Sequence, residues 1–178
     1  VIGQTLNIQV IEDGMPQLGA LLEHSEAASD AAAHAIMTTD TVKKEAAVET
    51  QIGGRTVTLG GVAKGSGMIH PNMGTMLCFL TTDCAISPQM IRTALLETVH
   101  VSFNRISVDG DTSTNDSCIL LANGLAGNAP IVEKGPDYDA FLEALRALCV
   151  ELAQKMASDG EGAPHLITCT GTGAADEA

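Results

Sequence analysis

The chain alternates short apolar runs with stretches whose apolar residues recur at helical spacing. Between residues 15 and 36 an Ala- and Leu-rich stretch predicts two helices broken near Ser25, with Asp30 capping AAAHAIM. In RTVTLGGVA, Val57 and Leu59 alternate with Thr56 and Thr58, the period of a strand, which Gly60 and Gly61 are expected to end. TMLCFLTT is short, apolar and β-compatible, and reads as a buried strand. Ser87 then Pro88 marks a helix start, since proline at the first helical position gives up no needed N–H, and Ile91, Ala94, Leu95 and Val99 share one face. SCILLANG reads as a second buried strand ending in a turn at Asn123-Gly124. Between Asp137 and Asp159, Phe141, Leu145, Leu148, Leu152 and Met156 keep helical spacing; acids crowd the first turn and Gly160 stands where a C-terminal cap belongs. HLITCT is the expected last strand. Strands interleaved with helices, without repeats or low-complexity linkers, predict an α/β layered domain.

Composition narrows the class of partner. With 178 residues and 45% hydrophobic content, the chain can bury one good core. A net charge of -13 with nine Lys and Arg disfavours nucleic acid and anionic membranes, whose binding needs clustered cations. No apolar run approaches the roughly 20 residues that span a bilayer. Five cysteines without a CxxC pair, mostly in apolar runs, fit thiols acting as small hydrophobes in a reducing cytoplasm. The five histidines show no metal spacing, so no metal is assigned. The opening VIGQTLNIQV and the ending GTGAADEA suggest a fragment of a longer protein.

Residues 60 to 83 are the least ordinary stretch. Gly60, Gly61, Gly65 and Gly67 surround Lys64 and precede His70 and Pro71, and Gly74-Thr75 then introduces an apolar strand. A phosphate-binding loop would need Gly-Lys-Ser/Thr opening a helix; the order here is Lys64-Gly65-Ser66 and a strand follows. The alternative is self-cleavage between Gly74 and Thr75, with the Thr75 hydroxyl attacking the preceding carbonyl and glycine tolerating the strained backbone. Thr75 would then be a new amino terminus whose amine, with a reference pKa of about 7.7–8.0, could act as base for its own hydroxyl. The residues alone favour a plain turn entering a strand. Likewise, by themselves Thr38 reads as a helix cap, Lys64 as a solvated surface lysine and Glu161 as a loop acid. Asp109, Asp111, Asn115 and Asp116 read as a polar loop supporting the site rather than a calcium loop.

Four motifs change that balance. MTTDT at 37–41, GGVAKGSGMIHPNMGTMLCFLTTD at 60–83, NRISVDGDTSTNDS at 104–117 and DGEGA at 159–163 together resemble the ArgJ family, the ornithine acetyltransferases or bifunctional glutamate N-acetyltransferases, over nearly the whole chain. The resemblance implies a layered αββα self-cleaving fold, incomplete here at both ends, with 1–74 belonging to an α-chain region and 75–178 to a β-chain region that stay together and assemble into a higher homo-oligomer. It implies a cut at Gly74-Thr75, Thr75 as the acetyl-carrying nucleophile, and substrate contacts from Thr38, Lys64, Thr75 and Glu161. Most members have Ala before the threonine, and most continue DGEGA with Thr-Lys where Pro164-His165 stand here. The implied reaction moves acetyl from N2-acetylornithine to glutamate in arginine biosynthesis, with no resident cofactor and acetyl-CoA as a candidate second donor. The oxyanion-hole Thr-Gly pair is expected upstream of Val1. The alternatives are a self-cleaving aminopeptidase or amidase, or a precursor that is never processed.

Overall fold

The computed structural model describes residues 5–70 and 76–173. The chain divides into two compact units, Val1–Ala35 and Ile36–Ala178. The first holds two helices, α1 (Ile8–Ala20) and α2 (Glu26–Ala35). Two helices with a break before Ser25 were expected; the first, however, begins well upstream, and Ser25 rather than Asp30 caps the second. The Ser25 hydroxyl accepts from the Ala28 N–H at 3.1 Å, while Asp30 lies inside α2. Serine three residues before a free amide is the better placed acceptor.

The second unit is mixed α/β. Its sheet runs in the order β1 (Lys44–Ile52), β2 (Arg55–Lys64), β3 (Leu77–Thr82), β4 (Ser117–Ala122). β1 and β2 form an antiparallel hairpin around Gly53-Gly54, both at positive φ (55° and 73°), the conformation of a type I′ turn that glycine adopts at least cost. β2 and β3 are antiparallel; β3 and β4 are parallel, joined through α3 (Pro88–Val101) as a crossover. Ser87 caps α3 by accepting from the Met90 N–H at 3.3 Å. The long helix α4 (Pro136–Ser158) lies against β1 and β2 and packs beside α3.

One face of the sheet is dry. Val57, Leu59, Ala63, Cys78 and Leu80 are buried there with Phe141, Leu145, Leu148, Leu152 and Met156 of α4, the five positions expected from helical spacing. Burying each such side chain is worth about 1.5–3 kcal/mol, so the α4 face against this sheet dominates the core. The opposite face carries Phe79, Ile119 and Leu121, all exposed.

Four expectations need correction. β2 does not stop at Gly60-Gly61 but continues to Lys64. The glycine instead allows close packing: a Cβ at Gly61 would stand 2.5 Å from Leu80 Cδ2 and 3.1 Å from Leu152 Cδ1. β4 is an edge strand with outward apolar residues, not a buried one. Gly160 is no left-handed cap; it is buried, and a Cβ there would meet Val108 Cγ1 at 2.9 Å. HLITCT forms no strand and is exposed throughout, since none of the four strands pairs with it. In addition, β1 was not anticipated.

Candidate active site

A buried lysine organises the loops at one end of the sheet. Lys44, at the start of β1, has a fully buried side chain, and its ammonium lies 2.6 Å from Asp40 Oδ1 and 2.6 Å from Asp159 Oδ2. A buried cation is tolerable only when paired and hydrogen-bonded, and these two carboxylates supply that. Each acid then reaches further. Asp40 also accepts from the Gly65 N–H at 2.7 Å and the Thr38 N–H at 3.2 Å. Asp159 accepts from the Thr41 N–H at 2.9 Å and from the Thr41 hydroxyl. Burial pushes the Asp159 carboxyl up, but Lys44 and Thr41 outweigh it and bring it to about 2. Asp40 is likewise held below the usual carboxylate range, burial being overcome by Lys44, Gly65 and Thr38.

This network ties three segments together: 38–44, 64–67 and 159–161. They carry the three described residues expected at a substrate site. Lys64 Nζ donates to Thr38 Oγ1 at 3.1 Å. The Glu161 N–H donates to the Ser66 carbonyl at 2.6 Å, and Ser66 Oγ lies 2.6 Å from Thr39 Oγ1. The Glu161 carboxylate sits against Gly67, where any Cβ would collide with it. Lys64 is 8% exposed, not a solvated surface lysine, and among the described residues no carboxylate is paired with it. Thr38 follows α2 and caps no helix. Glu161 is exposed. The site thus offers a buried cation and an open carboxylate on segments that hydrogen-bond to each other, groups suited to holding a small molecule with a carboxylate and an amine.

Gly74 and Thr75 lie outside the described residues, but Met76, bonded to Thr75, does not. The strand register aligns Lys64 with Leu77 and Leu77 with Ser117, so Gly65, Met76 and Asp116 share the same end of the sheet. The Met76 N–H donates to Asp116 Oδ1 at 2.8 Å, and the Ser117 N–H donates to the Met76 carbonyl at 3.1 Å. Asp109 accepts from the N–H groups of Met68 and Ile69, the latter at 2.9 Å. Two of the polar loop's three acids, Asp109 and Asp116, therefore hold backbone, one before and one after residues 71–75 in sequence. A cavity of about 610 Å³ lined by Arg105, Ile106, Val150, Ala153, His165 and Leu166 takes in none of these residues.

The family model described as "ArgJ family" matches residues 1–178. The chain belongs to the ArgJ family. A Geobacillus stearothermophilus protein named arginine biosynthesis bifunctional protein ArgJ is 52% identical over 94% of this chain and 40% of its own length. The protein of that name from Bacillus subtilis is 50% identical over 98% of this chain and 42% of its own. A crystal structure titled as arginine biosynthesis bifunctional protein argJ from Bacillus halodurans shares 45% identity, covering 48% of this chain and 40% of that one, at a TM-score of 0.47. The chain thus spans about two fifths of these ArgJ relatives' length. No helix among the described residues is long and apolar enough to cross a membrane.

Sequence reasoning missed Asp40, Lys44 and Asp159 as a unit. A signal existed: Asp40 and Lys44 are four apart and Asp159 opens DGEGA, so two of the quoted motifs each donate one acid. What the sequence could not show is that one lysine joins them.

Proposed function

We propose that this chain carries the acetyl-transfer centre of a glutamate N-acetyltransferase, cut between Gly74 and Thr75, with Thr75 as nucleophile. The observation that supports it best is Lys64: a largely buried ammonium, hydrogen-bonded to Thr38 and without a carboxylate partner among the described residues, at the sheet end where Met76 follows Thr75. A cation so placed lacks the anion that a substrate α-carboxylate would supply.

In this reading the Thr75 hydroxyl attacks the acetyl carbonyl of N-acetylornithine, its proton passing to the Thr75 amine. The tetrahedral intermediate expels ornithine, whose amine takes that proton as the C–N bond breaks. The glutamate amine then attacks the acetyl-threonine ester, gives up a proton, and leaves as N-acetylglutamate while the hydroxyl is restored. Lys64 and Thr38 hold the substrate carboxylate, and Glu161 holds an amino group. Acetyl-CoA would be a second acetyl donor to the same hydroxyl. β2 and β3 flank the cut and pair from Leu59–Thr82 to Lys64–Leu77, which supports two chains that remain associated after cleavage.

The test is Thr75→Ala in the full-length protein, followed by intact mass and by N-acetylglutamate formation. The expected result is an uncut chain with no transfer. A variant that still transfers acetyl sinks the assignment, and rapid release of free acetate without N-acetylglutamate in the wild type points to hydrolysis instead.

A further inference from the structure

The hydrogen bond between Asp116 and Met76 has a consequence for the residue before it. The Met76 N–H belongs to the peptide unit joining Thr75 to Met76, and that unit is planar. Whatever grips this N–H therefore also sets the plane containing the Thr75 carbonyl and Cα. Asp116 Oδ1 grips it at 2.8 Å. The next peptide unit, from Met76 to Leu77, is held as well, because the Met76 carbonyl accepts from the Ser117 N–H. We propose that Asp116 is a positioning residue for the nucleophile, orienting Thr75 through its own peptide bond; this rests on the proposed role of Thr75.

Four further observations agree. Asp116 Oδ2 is buried and has no hydrogen-bond partner among the described residues. A carboxylate left half satisfied in a dry place is costly, and such costs concentrate where function demands the group. Burial pushes its carboxyl up to about 6 against the pull of the Met76 N–H, the Ser113 hydroxyl and Lys64. The strand register also sets Asp116 at the end of the sheet where β2 ends in Lys64. Finally, a strand needs no acid at its entrance: Met76 could donate to any oxygen, whereas here a side chain from a separate loop is brought across.

The experiment compares Asp116→Ala and Asp116→Asn with wild type in the full-length protein, reading self-cleavage by intact mass and kcat and KM for N-acetylornithine. The alanine variant is expected to cut itself more slowly and to lose about tenfold to a hundredfold in kcat, the scale of a slightly misplaced nucleophile, with KM within about twofold because Lys64 and Thr38 are untouched. The asparagine variant, whose amide oxygen can still accept from Met76, is expected to recover kcat to within about threefold of wild type. A purely structural role would lower the yield of folded protein without this split in kcat and KM. Alanine behaving as wild type, or asparagine failing as badly as alanine, overturns the proposal. Where the alanine variant is insoluble, Asp116→Ser is held to the same criteria. Wild-type protein that neither cuts itself nor transfers acetyl sinks the proposed function; wild type that does both while Asp116→Ala matches it sinks only the role of Asp116.

Discussion

Replacing Lys44 by methionine removes the ammonium that joins Asp40 to Asp159 while keeping most of the side-chain volume. Both acids remain out of water, their side chains 0% and 6% exposed. The size of the effect follows from their titration. Bringing Asp159 from 3.8 to about 2 corresponds to about 2 kcal/mol of folded-state stabilisation. Asp40 is depressed as well, with Lys44 among its causes. Losing one partner of a buried pair typically costs about 3–5 kcal/mol, and that is the loss expected for Lys44→Met at pH 7. The sign with pH is definite. In the wild type, carboxyls depressed in the fold contribute stability that is present above their unfolded value and lost as pH falls through the folded one, near 2 for Asp159. In the variant the cation no longer favours the ionised carboxyls, so this contribution is missing at every pH. The gap between the two proteins should therefore narrow between pH 7 and pH 2, mostly below pH 4. Urea unfolding at the two pH values measures it. A loss under about 1 kcal/mol at pH 7, or an equal gap at both pH values, refutes the view that this triad holds the loops together.

Two other substitutions probe separate parts of the molecule. Lys64→Met should raise KM for N-acetylornithine about tenfold to a hundredfold, the worth of a charge-assisted hydrogen bond, and leave the mass of the cut chains unchanged; unaltered KM would remove Lys64 from the substrate site. Gly61→Val should destabilise the protein by about 1–3 kcal/mol through overpacking against Leu80 and Leu152, seen as a lower Tm, and a Tm at or above wild type would contradict the close packing of β2 under α4.

The parts of the fold legible in the sequence are those where one residue pattern has one physical solution. α4 declares itself because its apolar positions recur at helical spacing and all face the sheet; α3 does because Ser87-Pro88 can cap but not continue a helix. β1 stayed hidden because its inward positions Ala46, Val48 and Thr50 are small and its outward ones are Glu45, Ala47, Glu49 and Gln51, so only Gly53-Gly54 signalled a hairpin. β4 misled for the opposite reason: Ile119 and Leu121 make the run apolar on both faces, though their face is exposed. At the site, the motifs named Thr38, Lys64 and Glu161, and these three segments do converge. The agent of convergence, Lys44, is a common residue in an acidic neighbourhood, and its burial is a tertiary fact that no local pattern encodes.

Thr75 is proposed to become an amino terminus and to carry the acetyl group. Mass spectrometry of the purified full-length protein, denatured after brief incubation with N-acetylornithine and no glutamate, tests it directly. The expected result is two chains separated at Gly74-Thr75, with one acetyl group on Thr75 that disappears on adding glutamate. A single uncut chain, or an acetyl group on any other residue, contradicts it.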